Sequence, residues 1–291
     1  MRAARLHEIG GTPVVDDIDA PSGGAVVDVT VAPLNPIDIS KGTGKFYGGS
    51  PDTPYVLGEE AIGTVDGRRV WFRGNATFAE QAVADPARLV DVPEGVDDTT
   101  AAACGIAGVT GWLAVAWRVP VREDDTVLVL GASGTVGSAA VQGAKLLGAK
   151  RVIGAARRTD AVPDAADLVV DLGGDLPEST LIVDALWGEP FERALAAAAI
   201  GVRVVHLGQS AGAISNLPSG NVRGKVANIH GHSLFATPQD VLARGYRELC
   251  EHVRDGRIAF GVESYDLDRV GEAWERQSSG SPAAKIVVSL R

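Results

Sequence analysis

The sequence predicts an α/β protein, with a β-rich part in its first hundred residues and a doubly wound parallel sheet after it. Three observations predict it. Short, continuously apolar runs recur at 127–130, 152–156, 168–170, 181–185, 203–207 and 226–235. Ala-rich helical stretches separate several of these runs, notably 138–147 and 190–199. A glycine-rich turn, GASGTVG at 131–137, joins the first run to the first helix. Strands apolar on both faces that alternate with helices belong to a parallel sheet covered on both sides. Six of them suit a doubly wound nucleotide-binding arrangement.

Composition agrees. The chain has 291 residues, 45% hydrophobic and 22% charged, which excludes disorder throughout. At roughly 100–200 residues per domain, two domains are expected. A net charge of −10 repels phosphate backbones, and no local basic patch offsets it, so nucleic acid is not an expected partner. The only cysteines, Cys104 and Cys250, lack CxxC spacing, which disfavours a disulfide framework or a structural zinc cluster. The opening MRAARLHEIGG has no apolar signal core, and the longest apolar run, 101–117, is rich in Ala and Gly and short for a membrane span. A soluble, cytoplasmic protein without a membrane partner is the expectation.

In chain order, 25–33 alternates as a strand, and 68–73 and 80–85 are short strand candidates among dense Gly and Pro. A helix is expected from about Thr99, capped by Asp97 or Asp98. After the parallel-sheet runs, a helix is expected from Pro238 to Asp255, then a strand at 262–266, a helix at 267–277 and a strand at 284–290. Pro93 and Gly95 mark a break between the β-rich stretch, residues 1–100, and the region that follows.

The glycine turn carries the chemistry. The N-terminus of the helix that follows offers free N–H groups and a positive dipole end, which suit a pyrophosphate. Gly134 lets the backbone approach it and Gly137 lets the helix pack close to the strand. Ser133, Thr135 and Val136 complete the cradle. The spacing is GxxGxxG, and the strand–turn–helix context supports dinucleotide binding. Arg157 lies 20 residues after Gly137, at the end of the second strand, with Arg158 beside it. An acid there would hold the ribose 2′-OH of NAD, whereas two arginines suit the 2′-phosphate of NADPH.

The segments LNPIDISKGTG (34–44), GEEAIGTV (58–65), AAACGIAGVTGW (101–112), 127–158, 191–212 and AAKIVVSL (283–290) together resemble the zinc-independent quinone oxidoreductase group of the medium-chain dehydrogenase/reductases. The resemblance implies a GroES-like catalytic and substrate domain built from both chain ends, 1–100 with 239–291, a Rossmann dinucleotide-binding domain between, 101–238, and nicotinamide in the cleft. It also implies a test for zinc. The zinc-dependent branch has Cys where Asn35 stands, His where Glu59 stands, and its third ligand at Cys104. Asn is a poor ligand, so no metal is expected. Two tyrosines often found in the group's cleft map to Ser40 and Phe46, with Tyr47 next to the second. The stretches 65–70 and 170–185 are shortened, the second at the expense of a helix between two sheet strands.

Asn35, Asp38, Ser40 and Tyr47 are the candidates for polarising a substrate, with a helix cap as the bland alternative for Asp38. Thr110 resembles a residue that packs on nicotinamide. Gly208 and Gln209 follow the fifth strand at the carboxyl edge, where open α/β sheets bind ligands. His206 reads as a strand residue facing the core or the helices. His230 and His232 read as sharing one strand face, and His232 with Ser233 as lining the cofactor with backbone. Arg223 and Lys225 read either as solvated or as meeting the adenosine phosphate. The expected activity is NADPH-dependent hydride transfer to a quinone or an α,β-unsaturated carbonyl, by a homodimer paired through the 226–235 edge. Two alternatives stand beside it: a non-catalytic NADPH-binding sensor, and an enoyl reductase of lipid or polyketide synthesis. A chain without a carrier-binding domain disfavours the latter.

Overall fold

A computed structural model describes residues 1–280 and 282–290. The chain divides into two compact units. One comprises Met1–Ile106, Tyr246–Arg254 and the residues from Phe260 onward, and the other comprises Ala107–Gly245 and Asp255–Ala259.

In the first unit the period-two pattern of strand Ala25–Pro33 buries Val27, Val29 and Val31 and leaves Asp28 exposed. That strand pairs with Glu60–Val65 on one side, and on the other with Gln81–Ala84 at its start and Lys285–Ser289 at its end. Glu60–Val65 turns directly into Arg68–Arg73. The link is Asp66 (φ 50°) and Gly67 (φ 75°), two left-handed residues of the kind a two-residue hairpin requires. This is how the shortened 65–70 stretch closes. A three-stranded sheet, Val14–Asp17, Arg2–Leu6 and Tyr55–Val56, completes the β part. Its core gathers Leu6, Leu34, Phe72, Phe78, Trp274 and Ile286.

The second unit holds six parallel strands in the order Leu168–Asp171, Arg151–Ala156, Thr126–Leu130, Leu181–Asp184, Arg203–His206, Asn228–Gly231. Val127 and Val129 enter one buried layer, Leu128 and Leu130 the other. Burial on both faces is why these runs are apolar without alternation. No helix joins Leu168–Asp171 to Leu181–Asp184. The predicted last strand, 226–235, is shorter than expected. Val226 is left-handed (φ 50°) and Leu234–Ala236 winds into a 3₁₀ turn, so only Asn228–Gly231 pairs. His232 therefore lies beyond the strand, and the shared face read for His230 and His232 is withdrawn.

One helical stretch, Asp98–Arg118, is long and apolar enough to cross a membrane, at 21 residues and a mean hydropathy of 1.4. It exceeds the run seen in the sequence because polar ends extend it, and 72% of its apolar window is buried in the protein, as in a core helix.

Candidate functional site

In the second unit the glycine turn follows strand Thr126–Leu130 directly. Gly131 is left-handed (φ 81°) and donates to the Ala155 carbonyl at 2.9 Å, as does Ala132 at 3.1 Å. These bonds set the turn beside the end of the second strand. Gly134 is the N-cap of helix Thr135–Leu146 and has no side chain to cap it. The first-turn N–H groups of Thr135, Val136 and Gly137 are therefore open to an anion. A Cβ on Gly137 would stand 2.2 Å from the Gly131 carbonyl oxygen, and one on Gly111 would stand 2.1 Å from the Val136 carbonyl oxygen. Only glycine admits the strand and the helix Val109–Leu113 at these distances. Half-buried Thr110 lies in that second helix, and Ser133 is half-buried in the turn.

Arg157 and Arg158 follow strand Arg151–Ala156, exposed, and neither has an ion-pair partner among the described residues. The other strand ends converge on the same carboxyl edge of the sheet. Gly208 packs on the Ala185 backbone, which a Cβ would approach to 3.0 Å, and Gln209 is exposed beside it. His206 closes its strand by pairing Nδ1 with Asp184 Oδ2 at 2.9 Å, rather than entering the core. Asp184 Oδ1 accepts from the Leu186 and Trp187 backbone N–H groups. The Trp187 ring, on a left-handed backbone, rests against His206 at 4.2 Å between centroids. His232 donates its backbone N–H to His206 O at 2.9 Å, and its Nε2 is buried without a partner. Burial, and then the Arg118 charge, push its pKa down to about 4, so the ring is neutral. Ser233 is exposed next to it.

The first unit holds a buried polar cluster. Asn35 ends strand-like backbone ahead of helix Pro36–Gly42, and Asp38 Oδ2 accepts its N–H at 2.8 Å. The Asn35 Nδ2 donates to Pro33 O at 3.2 Å and to Glu60 Oε1 at 2.9 Å, while its Oδ1 accepts from Lys285 Nζ at 2.5 Å. Both amide hydrogens are spent, so the donor role read for Asn35 is not available and its position is structural. Glu60 also accepts from Trp71 Nε1 and from Ile106 N, each at 2.7 Å. The second bond satisfies the helix break at Gly105, where a Cβ would stand 2.1 Å from the same carboxylate. Burial pushes the Asp38 carboxyl up to about 7, helped by Glu59 and Glu60 and opposed by its Asn35 bond and Lys285. Burial raises Glu60 and lowers Lys285, each against the pull of the other's charge.

Asp38 is thus both the cap and a buried acid. Ser40 is half-buried, and its carbonyl accepts from Lys45 and Phe46 N–H groups in closing the following turn. Tyr47 is 83% exposed, against Phe46 at 4.6 Å. The shielded donor expected of it is not formed, since a donor in solvent stabilises little charge. Glu60, Lys285 and Lys41 escaped sequence reasoning. Lys285 had a usable signal, a lone cation inside the apolar run AAKIVVSL.

The three positions tested for zinc turn to other partners. Asn35 is spent as above, Glu59 pairs with Lys41, and Cys104 shares a hydrogen bond with Cys250, which with burial raises its thiol pKa. Among the described residues no three His, Cys, Asp or Glu side chains gather as a metal site.

A family model described as zinc-binding dehydrogenase matches residues 147–288. The chain is 27% identical over 332 residues to human quinone oxidoreductase, covering 100% of this chain and 98% of that one. It is 25% identical over 329 residues to a phenolphthiocerol/phthiocerol polyketide synthase chain of Mycobacterium tuberculosis, with 100% of this chain aligned. The chain spans 14% of the length of that synthase. The crystal structure of the quinone oxidoreductase from Thermus thermophilus superposes with a TM-score of 0.87 at 23% identity, covering 100% of both chains, and shows the same fold. These likenesses agree with the resemblance of the sequence to the quinone oxidoreductase group of the medium-chain dehydrogenase/reductases.

Proposed function

We propose that this chain is an NADPH-dependent oxidoreductase that passes a hydride to a quinone or an α,β-unsaturated carbonyl without zinc. The observation that carries the reading is the uncapped glycine turn with Arg157 and Arg158 beside it. The human relative is a quinone oxidoreductase, and the Thermus neighbour has been crystallised with NADPH. NADPH, when bound, supplies the hydride. The N–H groups of Thr135, Val136 and Gly137, with Gly134 allowing close approach and Ser133 beside it, take its pyrophosphate. Arg157 and Arg158 take the 2′-phosphate, and Thr110, Gly208, Gln209, His232 and Ser233 flank the rest. The first unit carries the substrate. The donor set does not fit zinc, because an amide, a paired carboxylate and a protonated thiol make no catalytic site.

The Mycobacterium synthase relative favours a second reading in which the acceptor is an enoyl thioester. One experiment tests both. NADPH and NADH oxidation is followed with a panel of quinones, enones and enoyl thioesters. Turnover with the first two classes is expected. Turnover confined to thioesters would establish the second reading, and NADPH binding with no turnover in any class would overturn both.

A further inference from the structure

When a quinone or enone takes up a hydride, negative charge gathers on its oxygen. The reading above needs a group to meet that charge, and this inference rests on it. Zinc does not fit, Asn35 is spent and Tyr47 stands in solvent. We propose that the Lys41 ammonium is the catalytic group that stabilises this oxyanion, and that with Phe46 and Tyr47 it selects a flat quinone ring.

Lys41 lies in the last turn of helix Pro36–Gly42 and forms an ion pair with Glu59. Their side chains are 18% and 11% exposed, so the pair is largely shielded but still reachable. Glu59 takes one of the three ammonium hydrogens and no other hydrogen-bond partner meets Nζ among the described residues, which leaves two donors for an oxygen. The loop that follows is tied back: the Lys41 carbonyl accepts from Ser50 Oγ at 2.5 Å and from Gly44 N at 3.2 Å. This brings the Phe46 ring within 5.5 Å of Nζ. Phe46 and Tyr47 stand 4.6 Å apart, and exposed Tyr47 presents its ring outward. A cation beside half-buried Phe46 and exposed Tyr47 fits a ligand that is flat, aromatic and becomes anionic at an oxygen in its ring plane.

The balance is simple. Hydride addition to the quinone pushes an electron pair onto a carbonyl oxygen, which becomes an aryloxide. Lys41 keeps its proton and neutralises the aryloxide through its N–H groups. The aryloxide then takes one proton from solvent. The sum is quinone, NADPH and H⁺ giving hydroquinone and NADP⁺.

Two measurements test this, one of them independent of turnover. In the first, kcat/KM for quinones is compared across Lys41→Met, Lys41→Arg and the double variant Lys41→Met/Glu59→Gln, which leaves no unpaired carboxylate. Both Met variants should lose about a hundredfold, the lower end of the range for one lost oxyanion donor. Lys41→Arg should recover most of the loss. In the second, 4-nitrophenol is titrated by its absorbance. The unmutated protein should bind the phenolate at least fivefold tighter than either Met variant does. Full quinone activity in the double variant, or equal phenolate binding, would overturn the role of Lys41. If the unmutated protein binds the phenolate through Lys41 but reduces no quinone, the fault lies with the proposed function and the assignment of quinone falls with it.

Discussion

A Cβ placed on Gly137 would stand 2.2 Å from the carbonyl oxygen of Gly131, closer than any side chain tolerates. The contact is with backbone, so no rotamer relieves it. Gly137→Ala must push helix Thr135–Leu146 off strand Thr126–Leu130. Overpacking of this kind costs about 1–3 kcal/mol, and rigid backbone places the site at the upper end. Urea denaturation should show that loss, and NADPH affinity should fall with it. An alanine variant of unchanged stability and affinity would mean that the turn is looser than its geometry.

Much of the second unit was legible because its strands are covered on both faces, so Val127–Leu130 and Leu181–Val183 stay apolar residue after residue. The extent of the edge strand was not. Apolar residues at 226 and 234 continue the run in composition, but Val226 has left-handed backbone and Leu234 winds into a turn. The buried cluster was illegible for another reason. Lys285 and Asn35 are 250 positions apart, and only the pairing of strand Lys285–Ser289 with Ala25–Pro33 brings them into contact. Asp38 could be read as a cap from its spacing, whereas its burial depends on that distant strand.

Asp38 gives a dependence on pH. Its ordinary value is 3.8, and burial, then Glu59 and Glu60, outweigh the Asn35 bond and Lys285 to bring it to about 7. The folded state therefore holds this proton more tightly than the unfolded state. The stability it contributes is fully present below pH 3.8 and is lost as pH rises through about 7. A span of about three pH units corresponds to a loss on the order of 4 kcal/mol. In Asp38→Asn the amide oxygen still accepts from Asn35 N–H, but no proton leaves. The variant should gain on the unmutated protein between pH 5 and pH 8 in urea midpoints, while Glu60 keeps its own slope in both. Parallel midpoints across that range would place the titration elsewhere.

Metal content follows from the positions of Asn35, Glu59 and Cys104. Purified protein should carry less than one zinc per chain, and a chelator should leave quinone reduction intact. Tight one-to-one zinc, with activity lost on its removal, would show that these side chains rearrange around a metal.

Strand Asn228–Gly231 is the outer strand of the parallel sheet, and Ile229 is 38% exposed on it. Trp117, at 38%, and Phe235, at 67%, add apolar surface to the same unit. An open strand edge of this kind is relieved by pairing with a second copy. Sedimentation should find a homodimer, and Ile229→Lys should shift it toward monomer by placing a charge on the edge. A monodisperse monomer of the unmutated protein at high micromolar concentration would contradict the pairing.

Cofactor choice rests on Arg157 and Arg158. NADPH differs from NADH by one 2′-phosphate carrying close to two negative charges. No acid stands in 151–159 to repel it, and neither arginine is engaged in an ion pair among the described residues. Arg157 presents a planar fork that grips a phosphate through two parallel bonds, and Arg158 adds a second cation. Charge-assisted bonds contribute on the order of 1.5–3 kcal/mol each. One of them lost is roughly tenfold to a hundredfold in affinity. Both side chains are exposed, so screening by salt pulls the effect to the lower end. NADPH should bind at least tenfold tighter than NADH at low salt, and the gap should narrow as salt rises. Arg157→Ala should erase most of the gap by weakening NADPH and sparing NADH. Calorimetric titration of both cofactors gives all four constants. Equal affinities in the unmutated protein would mean that the arginines face water in the complex, and the assignment of NADPH over NADH would fall.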